Sequence, residues 1–159
     1  MVHYEHTEVG FNYRMSNLLA AVGRGQLENL EGPQAKLARR SATNQRYREA
    51  FASIDGVSFQ PVPQWSTPNW WLTCIVLDPA VHGTDATQRV TKALEAEDIE
   101  SRPLWKPMHL QPVFADSPAR LNGVSERLFG TGMCLPSGSS MTTADVDRVS
   151  TIVAELLTR

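Results

Sequence analysis

"WWLTCIVL", residues Trp70–Leu77, is an unbroken apolar run rich in β-branched and aromatic side chains. Such a run predicts a strand in the middle of a sheet. Working outward from it, Val57–Gln60 alternates and reads as a short neighbouring strand, entered through a turn at Asp55-Gly56. Pro61, Pro63 and Pro68 keep the piece between the two strands out of a sheet interior. On the other side, Asp85 with Gln88 has the form of a capping box and opens a helix that buries Val90, Ala93 and Leu94. Ile99–Leu104 returns as a strand, which Pro103 and Pro107 confine to an edge or a break. Ser117-Pro118 starts a short helix through Leu128, and Met133–Leu135 is a brief strand. Thr142 with Asp145 caps a last helix whose Val146, Val149, Ile152, Val153, Leu156 and Leu157 form the clearest amphipathic stripe in the chain.

Two helices precede the strands. Ser16 is placed as an N-cap, followed by Leu18, Leu19, Val22, Gln26, Leu27 and Leu30 at helical spacing. Gly32-Pro33 ends that helix and starts a second, running from Pro33 to about Ser53 with Leu37, Asn44, Tyr47, Phe51 and Ile54 on its inner side. The order of elements predicts an α+β fold: a small, mostly antiparallel sheet with helices on one face, preceded by long helices.

The 159 residues amount to one domain, or a domain with an arm. A formal net charge of −2 gives no basic excess to attract nucleic acid or an anionic membrane. No apolar run approaches the roughly 18 residues of a membrane span. The start, MVHYEHTEVG, lacks the basic and apolar parts of a signal peptide. Cys74 and Cys134 read as isolated, buried free thiols rather than a disulfide. These features together predict a cytoplasmic location.

Most candidate chemistry has a plainer reading. His3-Tyr4-Glu5-His6 offers two imidazoles and a carboxylate, but no further metal-binding motif accompanies it, and no metal is expected. "LPSGSS", Leu135–Ser140, lacks a nucleophile elbow and reads as a turn between strand and helix. Gly23-Arg24-Gly25 lies within a helical pattern, where small residues allow close packing. Two stretches stand apart. In "GFNYRMSN", Gly10–Asn17, an amide, a phenol and a guanidinium stand side by side just ahead of a helix; on residue types alone Asn12 is a turn or cap residue. In "SRPLWKPMHLQPVF", Ser101–Phe114, three prolines stiffen a segment carrying Arg102, Trp105 and His109. Arg102 suits a carboxylate or phosphate in fork geometry, and Trp105 and His109 suit a ring or sugar hydroxyls. An irregular edge packed by its tryptophan, with solvated charges, accounts for the same residues equally well.

"GFNYRMSNLLAAVGRGQLENLE", "ESRPLWKPMHLQPVF" and "LFGTGMCLPSGSSMTTADVDRV" follow one another in an order and spacing that resembles the DegT/DnrJ/StrS family of pyridoxal phosphate (PLP) sugar aminotransferases. The resemblance covers nearly the whole chain but only the C-terminal portion of that family. It implies the C-terminal small domain of a fold-type I aminotransferase over residues 33–159, with residues 1–32 as an N-terminal loop and interface helix. It implies that Asn12 donates to the PLP phosphate of a partner subunit, with Arg14 supporting that site. It implies, further, that Arg102, Trp105 and His109 line the side that takes a nucleotide-linked keto-sugar.

The family's Schiff-base lysine, the acid opposite the pyridinium nitrogen and the ring-stacking group all precede the Asn-Tyr-Arg-Met motif. Here nine residues precede Gly10, and none is lysine; the lysines are Lys36, Lys92 and Lys106. The chain alone is therefore expected neither to hold PLP nor to transaminate, and no catalytic residue is assigned within it. PLP is expected only if an N-terminal aminotransferase half completes the enzyme, with that half or a homo-dimer partner as the protein partner. The alternative is a non-catalytic binding or interaction module, or the folded remnant of a disrupted aminotransferase. In that case Leu19, Val22 and Leu27 on the first helix would form an apolar patch in need of cover.

Overall fold

The structure, a computed structural model, describes residues 4–27 and 33–158. Four strands form one antiparallel sheet: β1 (Val57–Phe59), β2 (Thr73–Leu77), β3 (Arg102–Pro103) and β4 (Gly132–Leu135), in the order β1-β2-β4-β3. Val57 faces Leu77 across the first pair, Thr73 faces Leu135 across the second, and Arg102 faces Cys134 across the third. The helices are α1 (Asn17–Leu27), α2 (Pro33–Ala50), α3 (Pro79–His82), α4 (Ala86–Glu95), α5 (Val124–Thr131) and α6 (Thr143–Leu157), with 3-10 turns at Met108–Leu110 and Pro112–Phe114.

The core lies between the sheet and helices α2, α4 and α6. Tyr47 from the end of α2 and Phe51 just beyond it, Val90 and Leu94 from α4, and Val146, Val149 and Val153 from α6 meet Ile75, Leu77, Met133 and Leu135, all almost fully buried. Burying each such aliphatic or aromatic side chain contributes about 1.5–3 kcal/mol. Period-two alternation sends Thr73, Ile75 and Leu77 into this layer and Cys74 and Val76 to the opposite face. The fold is α+β, with a small antiparallel sheet and helices packed on it, as the sequence predicts.

Local differences have local causes. Strand β2 starts at Thr73 rather than Trp70 because the Asn69 carboxamide oxygen accepts the Trp71 N–H at 3.0 Å and Trp70 turns through a positive φ of 47°. Asp85 makes no side-chain cap bond; its carboxylate instead faces Arg89 one turn on, at 3.3 Å. The helix placed at Ser117 begins at Val124, after Asn122 accepts the Val124 N–H and Gly123 takes a φ of 74°. Asp78 caps α3, a turn the sequence reading left out, through the Ala80 N–H. By contrast, Ser16 accepts the Leu19 N–H at the head of α1, and Thr142 and Asp145 form a reciprocal capping box on α6, both as predicted. The Gly32 end of the break between α1 and α2, and Leu30 of the first stripe, fall outside the described residues.

No residue of α1 is buried. Leu18, Leu19, Val22 and Leu27 are all more than half exposed. Leu37, placed on the inner side of α2 by its spacing, instead lines an open groove between α1 and α2. No helix among the described residues is long and apolar enough to cross a membrane.

Candidate functional site

The N-terminal arm is stitched to the Arg102–Phe114 segment by backbone hydrogen bonds, with one glutamine at their centre. Gln111 is 3% exposed. Its side-chain oxygen accepts the His6 N–H at 2.8 Å, and its amide donates to the Tyr4 carbonyl at 3.0 Å. Val113 N–H then donates to the His6 carbonyl at 3.1 Å. A buried carboxamide must find partners for both ends, and here the partners are the backbone of a strand-like arm. Lys106 pairs with Glu5, and the Tyr4 hydroxyl accepts from Arg102 at 2.9 Å.

This docking walls one side of a half-open cavity of about 370 Å³ on the outer face of the sheet, next to β3. Arg102 and Trp105 line it, as do Tyr4, Trp71 and Cys134. The Trp71 and Trp105 rings stand 6.1 Å apart at 40°. Arg102 is exposed, and its fork is engaged by Glu100, with Nε to Oε1 at 2.9 Å and NH2 to Oε1 at 2.8 Å. Hydrogen bonding to Glu100 raises the Arg102 pKa above its ordinary value and keeps the cation charged. Exposed pairs of this kind hold weakly.

His109 is placed elsewhere. Its Nε2 meets Glu126 Oε1 of α5 at 2.7 Å, and it lines a separate cleft of about 270 Å³ with Phe114 and Arg120. Of the three residues read as a substrate set, Arg102 and Trp105 are brought together and His109 is not. Sequence reasoning missed Trp71, which the apolar run had assigned to a buried strand, and Gln111, which has no local signal at all.

Asn12 and Arg14 lie on the exposed arm and line neither cavity. The Asn12 side-chain oxygen accepts the Arg14 N–H at 2.8 Å, and Arg14 takes a φ of 62°. With its oxygen engaged, the Asn12 amide is left with its NH₂ to donate, and no acidic partner meets the Arg14 guanidinium among the described residues. Lys36 lines the α1–α2 groove, Lys92 is exposed on α4, and Lys106 is tied to Glu5. Among the described residues no group of three or more His, Cys, Asp or Glu is placed to hold a metal ion.

The loop after β4 is held by a buried polar chain that braces the sheet end nearest the cavity. Ser137 Oγ accepts the Thr73 N–H at 2.8 Å, and Thr73 accepts from Asn44 at 3.2 Å. Arg48 then bonds Asn44 and stacks its guanidinium 5.5 Å from the Trp70 ring centre.

Comparison with known proteins adds an independent line. The sequence model of the DegT/DnrJ/EryC1/StrS aminotransferase family matches residues 1–154. EpsN of Bacillus subtilis, named as a pyridoxal phosphate-dependent aminotransferase, is 42% identical over 159 residues, covering 98% of this chain and 39% of the relative. The GDP-perosamine synthase of Caulobacter vibrioides is 33% identical over 150 residues, covering 94% of this chain and 39% of that protein. The crystal structure of DesV from S. venezuelae, in complex with a ketimine intermediate, superposes with a TM-score of 0.78 at 24% identity, over 98% of this chain and 40% of that one, and shows the same fold. The chain thus spans about two fifths of the length of the relatives it matches.

Proposed function

Because this chain belongs to the DegT/DnrJ/EryC1/StrS aminotransferase family, we propose that it acts as the C-terminal part of a PLP-dependent nucleotide-sugar aminotransferase in amino-sugar or polysaccharide biosynthesis. Residues 1–32 serve as the loop and interface helix, and residues 33–159 as the small domain. The lysine that anchors the cofactor comes from residues outside these 159. Bound PLP supplies the electron sink and the carbonyl for amino exchange. The groups of this chain bind and orient.

Asn12 donates to the phosphate without adding charge, and Arg14 adds attraction from the same turn, in a site completed across a subunit interface. Arg102 and Trp105 serve the substrate. A diphosphate displaces the exposed Glu100 from the Arg102 fork, and a ring packs against the two tryptophans. His109 lines a separate cleft, so it serves a nucleotide-linked sugar only where the ligand extends past Trp105 toward α5. The observation that carries this reading is the cavity itself: two tryptophan rings and an arginine, walled on one side by the arm that bears the Asn-Tyr-Arg motif.

Co-expression tests it. The chain is paired with a polypeptide carrying the part of EpsN that precedes the matched region, and PLP retention and glutamate-dependent amination of a nucleotide keto-sugar are measured. Both are expected in the pair and in neither half. A pair that assembles and retains no PLP overturns the reading. The exposed apolar side of α1, with Leu19, Val22 and Leu27 unburied, favours a second reading as an interaction module without catalysis. A complex that forms with no cofactor bound supports that one instead.

A further inference from the structure

Two thiols that stand 60 residues apart in sequence meet on the sheet. Cys74 on β2 and Cys134 on β4 are direct partners in the register, with their sulfurs 3.7 Å apart and both thiols free. The backbone hydrogen bonds around them define the kind of pair. Asp78 N–H donates toward β1, to the Gly56 carbonyl, and Thr73 N–H donates the other way, to Ser137 just beyond β4. Backbone groups alternate in direction along a strand, so Cys74, in step with Asp78, directs its own toward β1. Cys74 and Cys134 are therefore a non-hydrogen-bonded pair, whose α-carbons lie about 4.5 Å apart. That spacing falls at the short end of the range of about 4.4–6.8 Å that disulfides span. A bond fits there without moving the strands, and at that limit it stays reducible.

The surroundings favour reaction. Cys134 faces Arg102 across the next pair of strands, so the row Cys74, Cys134, Arg102 runs across three strands. Cys134 also lines the 370 Å³ cavity, which brings a small molecule up to that sulfur, while Cys74 keeps partial exposure of its own. Cys74 is half-buried and Cys134 buried. The hydrogen bond from Cys134 lowers the Cys74 pKa, opposed by burial, while the same contact and then burial hold the Cys134 thiol up. Cys74, the more exposed of the two, is thus disposed to be the nucleophile, and the buried Cys134 to keep its proton.

We propose that Cys74 and Cys134 form a hydroperoxide-reactive dithiol that closes to a reversible cross-strand disulfide. The Cys74 thiolate attacks the outer oxygen of the peroxide; the O–O bond breaks, leaving Cys74 as a sulfenic acid and releasing an alkoxide or hydroxide that takes up a proton. The Cys134 sulfur then attacks the Cys74 sulfur. The S–S bond forms, the S–O bond breaks, and the hydroxyl leaves as water with the Cys134 proton. Two electrons pass from the thiols to the peroxide. The proposal stands on the sheet register and is independent of the aminotransferase reading.

The test uses the reduced 159-residue chain, titrated with hydrogen peroxide and followed by intact mass, thiol counting and non-reducing peptide mapping. Stoichiometric peroxide is expected to consume both thiols together, remove two hydrogens, and join the Cys74 and Cys134 peptides within one chain; dithiothreitol restores the starting mass. Cys134→Ser is expected to accumulate a sulfenic acid that dimedone traps on Cys74. In Cys74→Ser the remaining thiol is expected to react at least about tenfold more slowly. Sulfinic acid on one cysteine with the other untouched, disulfides only between chains, or two unreacted thiols in a chain that circular dichroism shows folded would each overturn the proposal.

Discussion

The side-chain oxygen of Gln111 accepts the backbone N–H of His6 across 105 residues of sequence, and the same carboxamide donates to the Tyr4 carbonyl. One buried glutamine thereby fixes the arm that walls the cavity. Gln111→Ala is expected to release that arm and to cost about 1–3 kcal/mol, the range for leaving buried polar groups unpaired. Hydrogen exchange checks it: protection at His6 and Val113 falls toward solvent rates, while Ile75 and Val153 in the core keep theirs. Unchanged protection at His6 would show that the arm is held by other contacts.

Asn12→Ala is expected to weaken PLP retention in the completed enzyme by about tenfold to a hundredfold, the effect of losing one charge-assisted hydrogen bond. Circular dichroism of the variant should match the parent, because Asn12 is exposed and its only described partner is the Arg14 N–H. Equilibrium dialysis of PLP is the measurement.

Arg102→Ala is expected to raise the KM for a nucleotide-linked sugar by at least about tenfold, and Glu100→Gln, which frees the guanidinium fork, is expected to lower it. His109→Ala is expected to move KM far less and to lower thermal stability, since the imidazole is tied to Glu126 in a different cleft. Equal KM effects at Arg102 and His109 would mean that one ligand spans both places.

Thr142→Ala is expected to destabilise the chain by about 0.5–2 kcal/mol through loss of the α6 cap. The backbone and hydroxyl of Thr142 hold the Asp145 carboxyl below the usual aspartate range. A folded-state pKa below the unfolded value stabilises the fold at neutral pH, and that contribution disappears as pH falls from about 4 through the lower folded value. In urea unfolding the gap between Thr142→Ala and parent should therefore narrow as acid is added without closing, because the Asp145 N–H to Thr142 Oγ cap bond does not depend on ionisation while the Thr142 hydroxyl bond to the Asp145 carboxylate does. A gap that does not change with pH would mean that the hydroxyl–carboxylate bond contributes nothing.

How much of this was legible in the sequence follows from the range of each interaction. Helix α6 was read in full because its cap, Thr142 with Asp145, and its stripe through Val153 lie within one stretch of chain. The core side of α4 shows in the spacing of Val90 and Leu94, both buried; Ala93, expected beside them, is only half-buried. The start of β2 was misplaced because a side-chain bond two residues long, Asn69 to Trp71, overrides the apolar run. Leu37 was assigned inward because its spacing is helical, but the groove it lines is made by a second helix. Gln111 carries no signal, and Cys74 and Cys134, free as their sequence reads, are not isolated as it also reads: in each case the partner is set by docking or sheet register, which no local pattern encodes. The cofactor role of Asn12 and Arg14 is expected from the resemblance alone; residue types single out their stretch but read Asn12 as a turn or cap residue.

The central claim is that this chain supplies binding walls and an anion grip, while the amine that captures the cofactor lies outside it. Incubation of the chain alone with PLP, borohydride reduction and peptide mapping tests this most directly, alongside the same procedure on the chain paired with a lysine-bearing N-terminal segment. A single pyridoxyl group is expected on the added segment and none specific to Lys36, Lys92 or Lys106. A stoichiometric pyridoxyl group on one of those three lysines, in a chain that by itself aminates a nucleotide keto-sugar, would contradict it.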